Sequence, residues 1–200
     1  MTYLILALCL AFAFILGSIP FGLVIAKTFK GIDPRKAGSG NIGSTNVARL
    51  CGMPCGLLTL FCDIMKGTLP VLIAVHVLPS MFMQSLVAFA AVMGHIKSPF
   101  LGFKGGKGVA TTIGALIPLA FLPLLCAVAC FFVVVFITRY VSLSSMTMSV
   151  ALVVFYAVFG YWELMPLGVV LAAMIIWAHR SNIGRLMRGE ESKFSLKKKK

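Results

Sequence analysis

Seven apolar stretches, Tyr3–Ala26, Gly56–Leu78, Phe82–Gly94, Val109–Phe121, Pro123–Thr138, Val141–Gly160 and Leu164–Ala178, occupy most of this 200-residue chain. Their lengths restrict the fold more than any other feature. About 20 helical residues, at about 1.5 Å each, cross a hydrocarbon core of about 30 Å. Some stretches are shorter, so their helices must extend into the flanking loops. Charged residues make up only 12% of the chain and hydrophobic ones 60%, whereas a soluble domain is typically about 25% charged. A chain of this size cannot hide so much apolar surface in one aqueous core, so lipid is its solvent. Met1–Leu16 has no basic residues ahead of its apolar run, which continues to Ala26. A retained helix is expected there, not a cleaved leader.

The stretch from Val109 to Thr138 reads as one helix or as two. A single helix would be about 45 Å long, more than the core needs. Pro118 and Pro123 would also break its hydrogen-bond ladder. Two spans with a turn near Leu122 are therefore expected. Seven spans also sort the charge. Lys27, Lys30, Arg35, Lys36 and Arg49 fall in the first loop, Lys97, Lys104 and Lys107 in the third, Arg139 in the fifth, and Arg180, Arg185, Arg188, Lys193 and Lys197–Lys200 after the last span. The alternate loops, near Pro79-Ser80, Leu122 and Tyr161-Trp162-Glu163, contain no Lys or Arg. Positive loops stay cytoplasmic, and six spans would mix the two sides. The expected fold is an all-α membrane protein, a compact bundle of seven transmembrane helices with the N-terminus outside and the C-terminus cytoplasmic. One domain would cover 1–190, followed by a basic cytoplasmic tail, 191–200, suited to anionic lipid or to fixing topology.

Lys66 is the one basic residue inside a span, three residues after Asp63. At that spacing the two share a helix face and can pair. A charge at membrane depth is costly and points to function; a packing and orienting ion pair is the plainer reading. The six cysteines, Cys9, Cys51, Cys55, Cys62, Cys126 and Cys130, lack the paired spacing of a zinc site and read as packing residues.

Two cytoplasmic loops are dense in glycine. The first reads Gly38-Ser39-Gly40-Asn41-Ile42-Gly43-Ser44-Thr45-Asn46, followed by Arg49. It contains a GxGxxG pattern, but no buried strand precedes it, which excludes a dinucleotide fold. The other reads Gly102-Phe103-Lys104-Gly105-Gly106-Lys107-Gly108, leading into Val109-Ala110-Thr111-Thr112. Its spacing fails a Walker motif, and Gly108 stands where Ser or Thr would follow the lysine. What remains is general physics: glycines let backbone N–H groups converge on an anion, lysine adds charge, and a helix N-terminus faces the same region. Arg139-Tyr140-Val141-Ser142, with Ser144 and Ser145 nearby, and His179-Arg180-Ser181-Asn182-Ile183-Gly184-Arg185 complete four polar clusters on one face. Each alone reads as a topology signal, but together they fit recognition of phosphate. His76 and His95 lie near span ends and read as structural. Asp33, Glu190 and Glu191 are too dispersed for a Mg²⁺ site, so Arg, Lys and backbone N–H groups would have to neutralise phosphate. Nucleic acid is not an expected partner, despite a net charge of +13.

Five ordered stretches, GSGNIGSTNVAR, DIMKG, GH followed by GFKGGKGVAT, RYVSLSS and HRSNIGRLMRG, run from residue 38 to 189. Together they resemble the bacterial glycerol-3-phosphate acyltransferases that use acyl phosphate. The resemblance implies a multi-pass inner-membrane enzyme with its active site on the cytoplasmic side and no cofactor or metal. It implies transfer of a fatty acyl group from acyl phosphate to the 1-hydroxyl of sn-glycerol 3-phosphate, giving lysophosphatidic acid and inorganic phosphate. Carried over by motif, the catalytic set would be Ser39, Arg49, Lys107, His179 and Asn182. Gly38, Gly40, Asn41, Gly43, Thr45, Asn46, Lys104, Gly105, Gly106, Gly108, Ser142 and Ser145 would bind substrate or shape its loops, and Asp63, Lys66 and Arg139 would support them. The expected partners are the two substrates and membrane lipid. Oligomeric state is left open, with a monomer compatible. The rival reading is an organic-phosphate or anion transporter, which would need internal repeats and more polar residues deep in the spans than Asp63 and Lys66.

Overall fold

The computed structural model describes residues 1–194, so the lysine run Lys197–Lys200 and the role expected of it lie outside the described residues. All regular structure among the described residues is helical: ten α-helices and two single 3-10 turns, at Pro99–Leu101 and Trp162–Leu164. The chain divides into two compact units, Met1–Leu119 and Ala120 onward.

The first unit contains α1 (Thr2–Ser18), α2 (Phe21–Lys30), α3 (Ser44–Cys51), α4 (Met53–Val77), α5 (Met81–Ile96) and α6 (Val109–Leu116). The first apolar stretch is thus interrupted, where an unbroken helix to Ala26 was expected. Pro20 has no N–H to donate, and Ile19 ahead of it takes an extended conformation (φ −60°, ψ 120°). Two buried side chains attend the break: Ser98 Oγ donates to Ser18 O at 2.6 Å and Lys66 Nζ donates to Ile19 O at 2.8 Å. Helix α2 runs on to Lys30, so Lys27 and Lys30 belong to its last turn, not to a loop. In this unit α1 packs on α5 and α4 on α6, and glycines bring their backbones together. A Cβ on Gly67 would meet Thr111 O, and one on Gly114 would meet Ile64 O. Close backbone approach at small residues is how helices pack when lipid offers no hydrophobic drive between them.

The second unit contains α7 (Phe121–Thr138), α8 (Val141–Val158), α9 (Met165–Ala178) and α10 (Arg180–Met187), with α7 on α8 and α8 on α9. Val109–Thr138 does form two helices. The break falls at 117–120, earlier than Leu122, because Pro118 disrupts the ladder whereas Pro123 fits the first turn of α7. Helix α10 bends away from α9 by 58° in a region expected to be loop. Among the described residues, four helices are long and apolar enough to cross a membrane, counting Thr2–Lys30 as one, and a fifth if the bent α9–α10 pair is included. Helices α5 and α6, with 16 and 8 residues, are shorter than the roughly 20 residues that span a hydrocarbon core.

Candidate functional site

In the first unit the glycine loop after α2 is organised around one side chain. Asn46, 2% exposed, accepts from Ser39 N at 2.9 Å through Oδ1. Its Nδ2 donates to Pro34 O at 2.9 Å, Asn41 O at 2.8 Å and Ala37 O at 3.2 Å. Gly38 has φ +62°, and a Cβ there would meet Asn46 Oδ1, so only glycine lets the loop close this tightly. Asn41 Oδ1 accepts from Gly43 N at 2.8 Å, setting up the start of α3. At the loop's entrance, hydrogen bonds from Arg35 hold the Asp33 carboxyl well below the usual carboxylate range. The loop therefore keeps its shape through internal bonds, with Gly38, Ser39 and Gly40 exposed and Thr45 half-buried. Arg49 stands exposed in the last turn of α3.

The second glycine loop folds back on the end of α5. Gly105 N donates to Ile96 O at 3.0 Å and Gly106 N to His95 O at 3.1 Å. Gly106 lies against the His95 ring, where a Cβ would meet Nε2. Lys107, half-buried, comes next, and Gly108 in a left-handed conformation (φ +83°) turns the chain into α6. Lys104 is exposed. Behind this loop, His95 is 4% exposed with Nδ1 3.7 Å from Asp63 Oδ1, and Lys66 Nζ lies 2.9 Å from the same oxygen. The intramembrane pair is therefore a buried trio, and Lys66 also faces the Phe21 ring at 5.7 Å.

The second unit gathers Ser142, His179 and Asn182, at 5%, 2% and 4% exposure. His179 sits where α9 gives way to α10. Its Nδ1 is 2.7 Å from Ile175 O. A carbonyl only accepts, so Nδ1 carries a proton, and when the ring is neutral this tautomer makes Nε2 the acceptor. Ser145 and Ser144 turn their hydroxyls back to Val141 O and Tyr140 O, both at 2.8 Å. Ser142 instead donates to Glu191 Oε1 at 2.7 Å. Glu191 also accepts from Asn182 Nδ2 at 2.6 Å and Arg185 Nε at 2.7 Å. Burial acts to raise its pKa, but these three hydrogen bonds and the Arg185 charge outweigh it and hold the carboxyl below its ordinary value. Arg139 is exposed and ends α7 in a left-handed conformation (φ +62°), its carbonyl accepting from Phe194 N at 2.7 Å.

Glu191 was absent from the residues read as functional. Its signal lies in Arg188-Gly189-Glu190-Glu191. Gly189 (φ +69°) ends α10, with Glu190 N donating to Arg185 O at 2.8 Å and Gly189 N to Leu186 O at 3.1 Å. This helix-ending turn sends the chain back along α10.

A family model described as glycerol-3-phosphate acyltransferase matches residues 7–189. A curated relative of that name from Nitratidesulfovibrio vulgaris is 51% identical over 95% of this chain, which spans 58% of that relative's length. One from Desulfovibrio desulfuricans is 48% identical over 96% of this chain and 86% of its own. The crystal structure of PlsY (YgiH), an integral membrane glycerol 3-phosphate acyltransferase, in its glycerol 3-phosphate form, superposes with a TM-score of 0.91 at 41% identity, covering 95% of this chain and 96% of that one. Its lysophosphatidic acid form gives 0.89 at 40% identity, with 96% coverage of each chain. All five ordered motifs lie inside the matched region, and the chain belongs to the glycerol-3-phosphate acyltransferase family.

Proposed function

We propose that this chain moves a fatty acyl group from an acyl phosphate to the 1-hydroxyl of sn-glycerol 3-phosphate, as the first step of phospholipid biosynthesis. The products are lysophosphatidic acid (1-acyl-sn-glycerol 3-phosphate) and inorganic phosphate. The observation that carries the reading is the family match from residue 7 to 189. Two solved relatives, in a glycerol 3-phosphate form and a lysophosphatidic acid form, agree with it. The protein acts as a multi-pass protein of a bacterial inner membrane, its reacting groups cytoplasmic. Counting α1 with α2 as one pass and α4 to α9 as six yields seven passes with the N-terminus outside. The alternation of basic and uncharged loops supports that arrangement.

An acyl phosphate is a mixed anhydride and is already activated. The glycerol hydroxyl oxygen bonds to the acyl carbonyl carbon, the carbon–oxygen bond to phosphate breaks, and the hydroxyl proton must leave. The protein's tasks are to neutralise phosphate, align the hydroxyl and stabilise developing charge. Arg49 serves as a bidentate phosphate clamp and Lys107 as a point charge. Ser39 donates a hydrogen bond to phosphate oxygen. Asn46, Gly38 and Asn41 hold the first loop's shape, and Gly105, Gly106 and Gly108 present Lys107. His179 Nε2 and the oxygen of Asn182 are acceptors, and acceptors suit hydroxyls, not phosphate oxygens. They orient the glycerol moiety. A carbonyl behind His179 fixes its ring without offsetting a positive charge as a carboxylate would. That favours the phosphate leaving with the hydroxyl proton.

The test mixes purified protein, acyl phosphate and labelled glycerol 3-phosphate. Labelled lysophosphatidate should form with equimolar phosphate, and Lys107→Ala should lower kcat/KM by about 100-fold. Formation of no lysophosphatidate, with phosphate carried into vesicles instead, would establish the transporter in its place.

A further inference from the structure

Ser98 stands outside every motif read from the sequence, yet it is 1% exposed and bonded in two directions. Its hydroxyl donates to Ser18 O at 2.6 Å, across 80 positions of the chain. Its carbonyl accepts from Leu101 N at 3.1 Å and Phe103 N at 2.8 Å, which closes the turn leading into the second glycine loop. That turn passes through two left-handed residues, Gly102 (φ +58°) and Phe103 (φ +62°). A bulky residue is strained there and keeps the conformation only where its surroundings over-determine it. The Phe103 side chain is 61% exposed, so its packing does not supply the constraint. The backbone bond to Ser98 does.

The Ser18-Ile19-Pro20 break is a footing for both glycine loops. Helix α2 starts from it, and a Cβ on Gly22 would meet Ile42 O, so α2 lies directly against the first loop. On the other side α1 meets α5 as closely, since a Cβ on Gly94 would meet Phe14 O. Ser98 joins the root of the second loop to the same place. Lys66 holds the neighbouring carbonyl, Ile19 O, from α4 at 2.8 Å. The break therefore keeps one anchor when Ser98 changes, and what is released is the root of the loop that carries Lys107.

We infer that Ser98 is a positioning residue that ties the Lys107 loop to the α1–α2 break, so that the two glycine loops keep one spacing during acyl transfer. This role rests on the reading of both loops as phosphate-binding. Ser98 is buried and acts through the loop, not on substrate.

The experiment compares the full-length detergent-purified protein with Ser98→Ala and Ser98→Thr. It measures kcat, KM for each substrate, the unfolding midpoint and amide hydrogen exchange. Ser98→Ala should lower the midpoint by only about 2–4 °C, the ordinary effect of one hydrogen bond in a chain of this size. Its kcat should fall by about tenfold, with both KM values within about threefold, because each loop still collects phosphate but the two no longer align. The Leu101, Phe103, Gly105 and Gly106 amides should exchange about tenfold faster, with α1 and α4 unchanged. Ser98→Thr keeps the hydroxyl and should return kcat to within about threefold of the parent. A lowered midpoint in Ser98→Ala with parental kcat and parental loop exchange would make the bond merely structural and overturn the proposal. A rise in one KM alone, at parental kcat, would also overturn it, since the loop would then serve one substrate and not the spacing. So would a Ser98→Thr protein of parental midpoint that is as slow as Ser98→Ala. A parent that forms no lysophosphatidate brings down the functional reading and the proposal with it, whereas a productive parent matched by Ser98→Ala brings down the positioning role alone.

Discussion

In the first unit one group of charged side chains is buried inside the helices; in the second the charged side chains gather at helix ends. Asp63, Lys66 and His95 are each at most 4% exposed and sit on α4 and α5, flanked by close glycine contacts. Lys66 both pairs with Asp63 and satisfies Ile19 O at the proline break. In the second unit the helix interiors hold serines bonded to their own helix, and the ionic contact of Glu191 forms beyond the end of α10. The difference is one of dependence. A buried pair cannot lose one member without stranding the other in a medium of low dielectric. In the Glu191 cluster Arg185 is 29% exposed, so this charged partner has water within reach and can be lost at lower cost. The buried trio of the first unit should therefore answer substitution in stability, and the helix-end cluster of the second in substrate recognition.

The largest expected effect is at Lys66. Lys66→Ala leaves the Asp63 carboxylate buried and should cost about 3–5 kcal/mol of stability. The measurement is thermal unfolding in detergent. Asp63→Asn/Lys66→Met, which removes both charges, should recover a substantial part of that loss. A Lys66→Ala protein as stable as the parent would mean that Asp63 is already satisfied without its partner. Next comes Gly106→Ala. Its Cβ would press on the His95 ring and shift the loop that carries Lys107. We expect about a tenfold or greater fall in kcat/KM, with acyl phosphate and glycerol 3-phosphate affected alike.

The apolar pattern located most of the helices closely: α4 covers Met53–Val77 against an expected Gly56–Leu78, and α8 covers Val141–Val158 against Val141–Gly160. It missed the break at Pro20 because the flanking residues are uniformly apolar and hydropathy does not register one absent N–H. It also missed α3 and α10. Each has eight residues, too few for a clear period, and each is built from Ser, Thr, Asn or Gly types that read as loop. The residue types suited to phosphate were legible in the motifs. The direction of each hydrogen bond was not. Whether Asn182 offers its nitrogen or its oxygen depends on Glu191, nine positions later, and on a glycine turn between them. Likewise, Ser142 and Ser145 are indistinguishable in sequence, and only packing shows which hydroxyl leaves its helix.

His179 sharpens the account of the second unit. If histidine only orients the hydroxyl, His179→Ala should lower kcat by about tenfold, less than the 10²–10⁴-fold expected on removal of a general base. A larger loss, with a pH–rate limb that disappears in the variant, would make the imidazole the proton acceptor. Smaller still is the contrast between the two serines. Ser142→Ala removes one donor to Glu191 and should raise the glycerol 3-phosphate KM by a few-fold, about 1 kcal/mol. Ser145→Ala removes only a bond to its own helix and should change stability by about 0.5 kcal/mol or less, with unchanged kinetics.

The smallest expected effect concerns pH. The Glu191 carboxyl titrates below its ordinary value because hydrogen bonds to Ser142, Arg185 and Asn182 outweigh its burial. A group whose folded pKa is depressed stabilises the fold fully above its unfolded pKa, and that contribution is lost as pH falls through the folded value. The tail contact should therefore be constant across neutral pH and fail only in acid, below the usual glutamate range. The check is the KM for glycerol 3-phosphate in the parent and in Glu191→Gln as the pH is lowered. The two should differ by a constant factor at neutral pH and converge only in acid. A ratio that drifts across neutral pH would place the titrating group elsewhere, with His179 the first residue to examine.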